Sequence, residues 1–276
     1  MVAEVIEETP DTTTIVLFTG NDYLEYVPGH FLTIDPHQFE ALERWVAYLE
    51  DLKKKREPPR AYSLASSPDE HYLAITVKEE RYVRGVTLYP PLLSPILAKR
   101  SIPGRRMVIT GFTGPYTLPE EESMPQQILH VCAGSGIVPN WSILKYCLRN
   151  YPQVYHRVLY SNKTWEDTIY RQELVALEKQ YPQQLKITYT LTREKPFATD
   201  EIDIRSGRID RDMLSETLRE MDDPMIYVCG PAISIYEKRA AKKTGQELRP
   251  RFMESTLKNL ELLGVDKKRI KRESYG

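Results

Sequence analysis

Ile128-Leu129-His130-Val131-Cys132-Ala133-Gly134-Ser135-Gly136-Ile137-Val138-Pro139 joins a continuous apolar run to a glycine-bounded turn and then to a helical pattern. The run Ile128–Ala133 reads as a buried strand, and Val138–Leu148 reads as a helix entered through Gly134-Ser135-Gly136. Downstream the rhythm repeats: strand Val154–Ser161, helix Thr164–Gln180, strand Leu185–Leu191, helix Arg211–Glu220, strand Met225–Cys229. Such alternation predicts a parallel sheet with helices on both faces. Ligands of these sheets bind outside the carboxyl ends of the strands. Two glycine sites fall at those ends, Gly134–Pro139 after the first strand and Cys229-Gly230-Pro231 after the last, so two signals point to one crevice.

The chain ahead of this run has a different grain. Val2–Glu8, Thr12–Phe18 and, after the turn signal Pro28-Gly29, His30–Asp35 read as β-strands. Phe39–Lys55 breaks the pattern, because Phe39, Leu42, Trp45, Val46, Leu49 and Leu52 recur at helical steps and predict one apolar face. That face packs on the barrel it interrupts or serves as a docking surface; the first is the expected case. Lys53-Lys54-Lys55-Arg56 suits the dipole at the helix end, with attraction of an acidic electron-transfer partner as the alternative.

Arg60-Ala61-Tyr62-Ser63 then opens a short strand. Arg60 and Tyr62 project to one face and Ser63 to the other, which equips the segment to meet a phosphate, a flat ring and a ring edge. It reads as a flavin cradle. Tyr72–Lys78 follows as the neighbouring strand, with Leu73, Ile75 and Val77 on one face. Ser94-Pro95 predicts an N-cap and first helical proline for a short helix through Lys99, whose N-terminal amides suit a pyrophosphate. Arg105–Thr110 is expected as a strand, Gly111–Tyr116 as a tight turn, and the polar stretch Glu120–Pro125 as the domain boundary.

At 276 residues the chain suits two domains. Its 38 basic and 39 acidic residues leave a net charge of −1, which argues against a general nucleic-acid binder. No apolar run approaches the length of a membrane span and no leader peptide is visible, so a cytoplasmic protein with no membrane association is expected. Cys132, Cys147 and Cys229 are too scattered for a disulfide framework or a four-cysteine cluster. Cys132 and Cys147 read as core residues.

The order of motifs resembles that of the ferredoxin–NADP reductase superfamily of flavoenzymes along nearly the whole chain. Arg60-x-Tyr62-Ser63 matches its flavin motif, with Ala61 at the variable position, and Thr76-Val77-Lys78 matches the next strand. Leu92-Leu93-Ser94 resembles the pyrophosphate segment, although Pro91 stands where the family has glycine. Gly134-Ser135-Gly136-Ile137-x-Pro139 matches the nicotinamide-nucleotide loop, and Cys229-Gly230-Pro231 the cysteine motif beside the nicotinamide. Glu273-Ser274-Tyr275 resembles the acidic-x-aromatic ending whose aromatic covers the flavin.

The resemblance implies a six-stranded antiparallel barrel over residues 1–119 that holds FAD, with a helical insertion at 37–57, and an NAD(P)-binding α/β domain over 125–276. FMN is the alternative flavin. It further implies an oxidoreductase in which hydride passes from NADPH or NADH to the flavin N5. Ser63, Cys229 and Glu273 would line the reacting edge, with Tyr275 as a gate. Single electrons would then leave for a ferredoxin or an iron–sulfur oxygenase component, because cluster cysteines are lacking. A small-molecule acceptor and a non-catalytic nucleotide-binding subunit are the alternatives. The adenosine ribose is expected at Ser161-Asn162-Lys163-Thr164, with Tyr170 and Arg171 further along. No acidic residue stands at that strand end to bind a free 2′-hydroxyl, and Lys163 or Arg171 can pair with a 2′-phosphate, which leans the choice toward NADPH.

Overall fold

The computed structural model describes every residue except 21, 23, 85, 86, 198–200 and 276. The chain divides into two compact units, Met1–Gly114 and Pro115–Gly276.

Among the described residues, the first unit holds six strands in two three-stranded sheets, with every pairing antiparallel. One sheet has the order β1 (Val2–Thr9), β2 (Thr12–Leu17), β5 (Leu73–Lys78); the other has β4 (Arg60–Ser63), β3 (Phe31–Ile34), β6 (Thr110–Thr113). The bridge between Leu64 and Ile75 ties β4 to β5, as expected for a curved, barrel-like wall. Alternation places Ile15, Leu17, Leu32, Ile34, Leu73, Ile75 and Val77 in one core. Burial of each such side chain stabilises the fold by roughly 1.5–3 kcal/mol.

Three local elements depart from the sequence pattern. Arg105–Ile109 is not a strand: the Arg105 carbonyl accepts from the Val2 amide at 2.8 Å, but the strand is Thr110–Thr113, which the glycines had marked as a turn. The hydroxyl of Thr33 donates to the Thr110 carbonyl at 2.9 Å, and this cross-strand bond reinforces the pairing. Ser94 does not cap α2 (Ser94–Arg100): the cap is Leu93, and the Ser94 Oγ instead accepts from the Glu80 amide at 3.1 Å. The insertion helix is shorter than its periodicity predicted. Two 3-10 turns precede α1 (Glu43–Lys53), which ends where Lys54 turns left-handed at φ 53°. Phe39, Leu42, Val46 and Leu49 of this segment join the core, while Leu52 stays half-exposed.

The second unit is a six-stranded, wholly parallel sheet among the described residues. Its strands are β7 (Gln127–Ala133), β8 (Tyr155–Asn162), β9 (Leu185–Leu191), β10 (Asp203–Ser206), β11 (Met225–Pro231) and β12 (Ile270–Tyr275), in the spatial order β10-β9-β8-β7-β11-β12. Helices α3 (Ile137–Asn150), α4 (Arg171–Gln180), α5 (Arg211–Arg219), α6 (Ile235–Thr244) and α7 (Phe252–Leu262) connect them. Tyr116 and Leu118, assigned from sequence to the first domain, pack in this unit's core beside Ile128 and Tyr227. The helix expected from Thr164 begins only at Arg171. The Thr164 hydroxyl donates to Asp167 Oδ2 and accepts from the Asp167 amide, which favours a turn, and Tyr170 at φ 56° cannot continue a helix. Strands β10 and β12 were not anticipated, being short and partly polar. Among the described residues, no helix is long and apolar enough to cross a membrane.

Candidate functional site

Strand order reverses at β7: β8, β9 and β10 extend to one side and β11 and β12 to the other. The carboxyl ends of β7 and β11 therefore form the topological switch point at which open parallel sheets bind ligands. Both glycine motifs lie there, and they touch. A Cβ on Gly136 would stand 2.1 Å from the Cys229 carbonyl oxygen and 2.8 Å from the Gly230 nitrogen, so glycine is required for the two turns to meet. Gly230 is constrained likewise by the Phe252 ring, 2.5 Å from its would-be Cβ. Gly134 adopts φ 53° with open space around its would-be Cβ.

Gly134–Gly136 forms a 3-10 turn that leads into the fourteen-residue α3, whose N-cap, Gly136, supplies no side-chain cap. Pro139 is buried in the first turn, where its missing N–H costs nothing. The leading amides and the dipole of this helix suit an anion such as a nucleotide pyrophosphate. The loop is held from below by Asn140. Its Nδ2 donates to the Gly136 carbonyl at 2.8 Å, which fixes the amide so that Oδ1 accepts from the Tyr116 hydroxyl at 3.1 Å and from His130 Nδ1 at 2.8 Å. His130 Nε2 must then accept from His156 Nδ1, 3.1 Å away. Both rings are fully buried and neutral: desolvation lowers His130 to about 4, and desolvation, helped by His130, holds His156 well below its ordinary value. Sequence reading missed Asn140 although it directly follows the Gly134–Pro139 motif.

Strand β12 brings the chain's end beside β11, with Glu273 in register with Cys229 and Tyr275 with Pro231. Tyr275 hydrogen-bonds the Cys229 thiol and packs on the cluster of Tyr116, Tyr227 and Cys229. Cys229 is wholly buried; desolvation raises its thiol well above the ordinary range, the Glu273 charge adds to this, and the Tyr275 bond opposes it. Three expected residues, Cys229, Glu273 and Tyr275, are thus brought together with Gly136 and Gly230. Ser135 is half-buried on the same loop.

The ribose end is more dispersed. Ser161 is buried on β8 between Ala133 and Thr190, and Lys163 is exposed just beyond the strand. Arg171 lies over the Trp165 ring at 5.7 Å and donates to the Trp165 carbonyl at 3.2 Å. Tyr170, expected near the ribose, is instead buried and stacked on Trp141 at 5.1 Å.

In the first unit, β4 carries the residues expected to form the flavin motif. Arg60 and Tyr62 are half-buried, Ala61 is exposed and Ser63 is buried. Arg60 NH2 donates to Glu57 Oε2 at 2.6 Å and NH1 donates to the Pro58 carbonyl. Glu57 was not singled out by sequence. Beside this strand, Thr76 shares a 2.7 Å hydroxyl bond with Thr14, Lys78 pairs with Asp11 at 2.9 Å, and Val77 faces the core. Leu92 and Leu93 are likewise core residues, so any contribution to a cofactor comes from their backbone. The residues present fit a flavin phosphate: a guanidinium has five N–H donors, and the bonds to Glu57 and Pro58 leave its side chain about one-third exposed.

Residues 130–237 match the family of oxidoreductase NAD-binding domains. A component protein of the 1,2-phenylacetyl-CoA epoxidase of Escherichia coli K12 is 27% identical over 260 residues, which cover 88% of this chain and 62% of that protein. NADH oxidoreductase HCR of the same organism is 25% identical over 232 residues, 84% of this chain and 59% of its own. The chain thus spans about three fifths of the length of these two relatives. The crystal structure of the FAD/NAD-binding domain of nitric oxide dioxygenase from Vibrio cholerae superposes with a TM-score of 0.70 at 23% identity, over 100% of this chain and 97% of that one. The antiparallel first unit, the parallel second unit with its switch-point glycines and these likenesses agree: residues 130–237 form an oxidoreductase NAD-binding domain, and the chain shares the fold of FAD/NAD-binding and ferredoxin–NADP reductase structures.

Proposed function

We propose that the chain is an NAD(P)H-dependent flavoprotein reductase that passes electrons to a separate protein carrying an iron–sulfur centre or an oxygenase site. The observation that carries this reading is the meeting of Gly136 with Cys229 at the sheet's switch point, with Glu273 and Tyr275 of β12 beside them. Gly134, Ser135 and the leading amides of α3 hold the nucleotide pyrophosphate, and Lys163 and Arg171 serve the ribose end. Gly230 and Pro231 leave the backbone open to the nicotinamide, with Cys229 and Glu273 at its reacting edge and Tyr275 as the displaceable cover.

On the flavin side, Arg60 holds a phosphate, Tyr62 the ring face and Ser63 the ring edge, with Thr76 and Lys78 on the neighbouring strand. FAD, when bound, supplies the step-down from two-electron to one-electron chemistry, so the protein's task is to position and shield. The acceptor is read from the relative that is one component of an epoxidase. Mixing the reduced protein with ferredoxins and oxygenase components tests this. Rapid one-electron reduction of one of them supports it, and turnover with free flavin or ferric chelates alone refutes it.

A further inference from the structure

The insertion that separates β3 from β4 ends on a buried charge cluster. Glu57 is buried between two cations: Lys53 of α1 donates to its Oε1, and Arg60 of β4 donates to its Oε2 at 2.6 Å. A second set of bonds joins Glu50 of α1 to Glu57 and to His37 and Asp35 at the first 3-10 turn. Glu50 Oε1 accepts from the Glu57 amide at 2.7 Å and from His37 Nε2 at 2.8 Å, and His37 Nδ1 faces Asp35 Oδ1 at 2.5 Å. Lys53 also lies over the Tyr89 ring at 4.8 Å.

A buried carboxylate is retained only where it is paired and fully hydrogen-bonded, and removal of one partner strands the others. The Glu57 carboxylate is paired from both directions, by the inserted helix and by the flavin strand. With Lys53 and Arg60 both charged, the three groups together carry one net positive charge. The bonds from NH1 and NH2 to Pro58 and Glu57 fix one edge of the Arg60 fork. This supplies what a phosphate ligand needs from an arginine, a guanidinium whose rotamer is settled before binding.

We infer that Glu57 is a positioning residue for flavin phosphate, holding Arg60 in place, and that the inserted helix α1 is the brace that anchors Glu57. This rests on the flavin reading of Arg60 given above. The insertion then belongs to the cofactor site, not to a partner surface.

The test measures dissociation constants of FAD, FMN and riboflavin for the flavin-stripped full chain, by quenching of flavin fluorescence, in Glu57→Gln, Arg60→Ala and the double variant. Riboflavin lacks the phosphate. A charge-assisted bond of this kind predicts that Glu57→Gln weakens FAD and FMN by about tenfold while riboflavin changes by less than about twofold. In the Arg60→Ala background the same substitution should have no further effect on FAD. Equal weakening of riboflavin, or additive losses in the double variant, would overturn the positioning role while leaving the flavin site intact. Unchanged FAD affinity in Arg60→Ala alone would overturn the site assignment itself, a distinct outcome. Where Glu57→Gln fails to fold, Glu57→Asp keeps the charge and shortens its reach, and the same FAD-to-riboflavin ratio decides.

Discussion

Gly136 and the carbonyl of Cys229 approach so closely that one added carbon on the glycine would lie 2.1 Å from the oxygen. The convergence of both turns on one crevice is thereby a packing requirement: the Gly134–Gly136 turn and the Cys229-Gly230-Pro231 turn hold each other in place. Gly136→Ala must displace backbone, not a flexible side chain. It should lower stability by about 3 kcal/mol and abolish measurable NADPH binding. Thermal melts and nucleotide titration of the variant check this; near-normal values of both would show that the turns move freely.

Asn140 holds the carbonyl of Gly136 and terminates the buried Tyr116 and His130 bonds. Asn140→Leu leaves these buried groups without partners, at a cost of about 2–4 kcal/mol. Denaturant unfolding should show that loss, and nucleotide affinity should fall with it.

The two buried histidines give the fold a defined acid sensitivity. Folded His130 sits at about 4, below its ordinary 6.5, and His156 is also lowered well below its ordinary value, so between pH 6.5 and 4 the unfolded chain binds more protons. Their full contribution is present above 6.5 and is lost as pH falls, with a slope approaching about 1.4 kcal/mol per pH unit for each histidine. Unfolding free energies measured across that range should decline toward acid. His156→Leu should flatten the decline, because it removes one of the two imidazoles whose protonation the fold resists.

Cys229 is buried and its thiol is held protonated beneath Tyr275. Alkylation at neutral pH should therefore be slow, and Tyr275→Ala should speed it by about tenfold or more by uncovering the sulfur. Peptide mapping of the modified chain distinguishes Cys229 from the equally buried Cys132 and Cys147. Modification at an unchanged rate would argue against Tyr275 as the cover.

For the choice of nucleotide, Lys163 is the exposed cation just past β8. Lys163→Glu should cut the preference for NADPH over NADH by about tenfold, since it opposes a 2′-phosphate and accepts from a free 2′-hydroxyl. Equal effects on both nucleotides would place the ribose elsewhere.

Much of this architecture was legible because periodicity and glycine spacing are local. Ile128–Ala133 is apolar throughout because both faces of a central parallel strand are covered, and the Gly-Ser-Gly turn declares the helix that follows. Strands β10 and β12 were not legible. Asp203–Ser206 and Ile270–Tyr275 are edge strands with charged residues, and only their pairing with β9 and β11 makes them strands. The Thr110–Thr113 strand was hidden by Gly111, whose turn signal yields to cross-strand bonds. At the site, Cys229 and Glu273 are far apart in sequence and share a register position that no local pattern announces. Glu57 went unnoticed for the opposite reason: a glutamate between a basic run and two prolines looks solvated, and its burial depends on Lys53 and Arg60 converging on it.

Whether one chain takes electrons from a nicotinamide nucleotide into its own flavin is decided by an anaerobic absorbance titration of the purified protein with NADPH, repeated with NADH. Visible flavin bands should bleach with about one equivalent of nucleotide, and at lower concentration of NADPH than of NADH. A protein that takes up no flavin on reconstitution, or whose flavin bands neither nucleotide bleaches, would contradict that electron transfer.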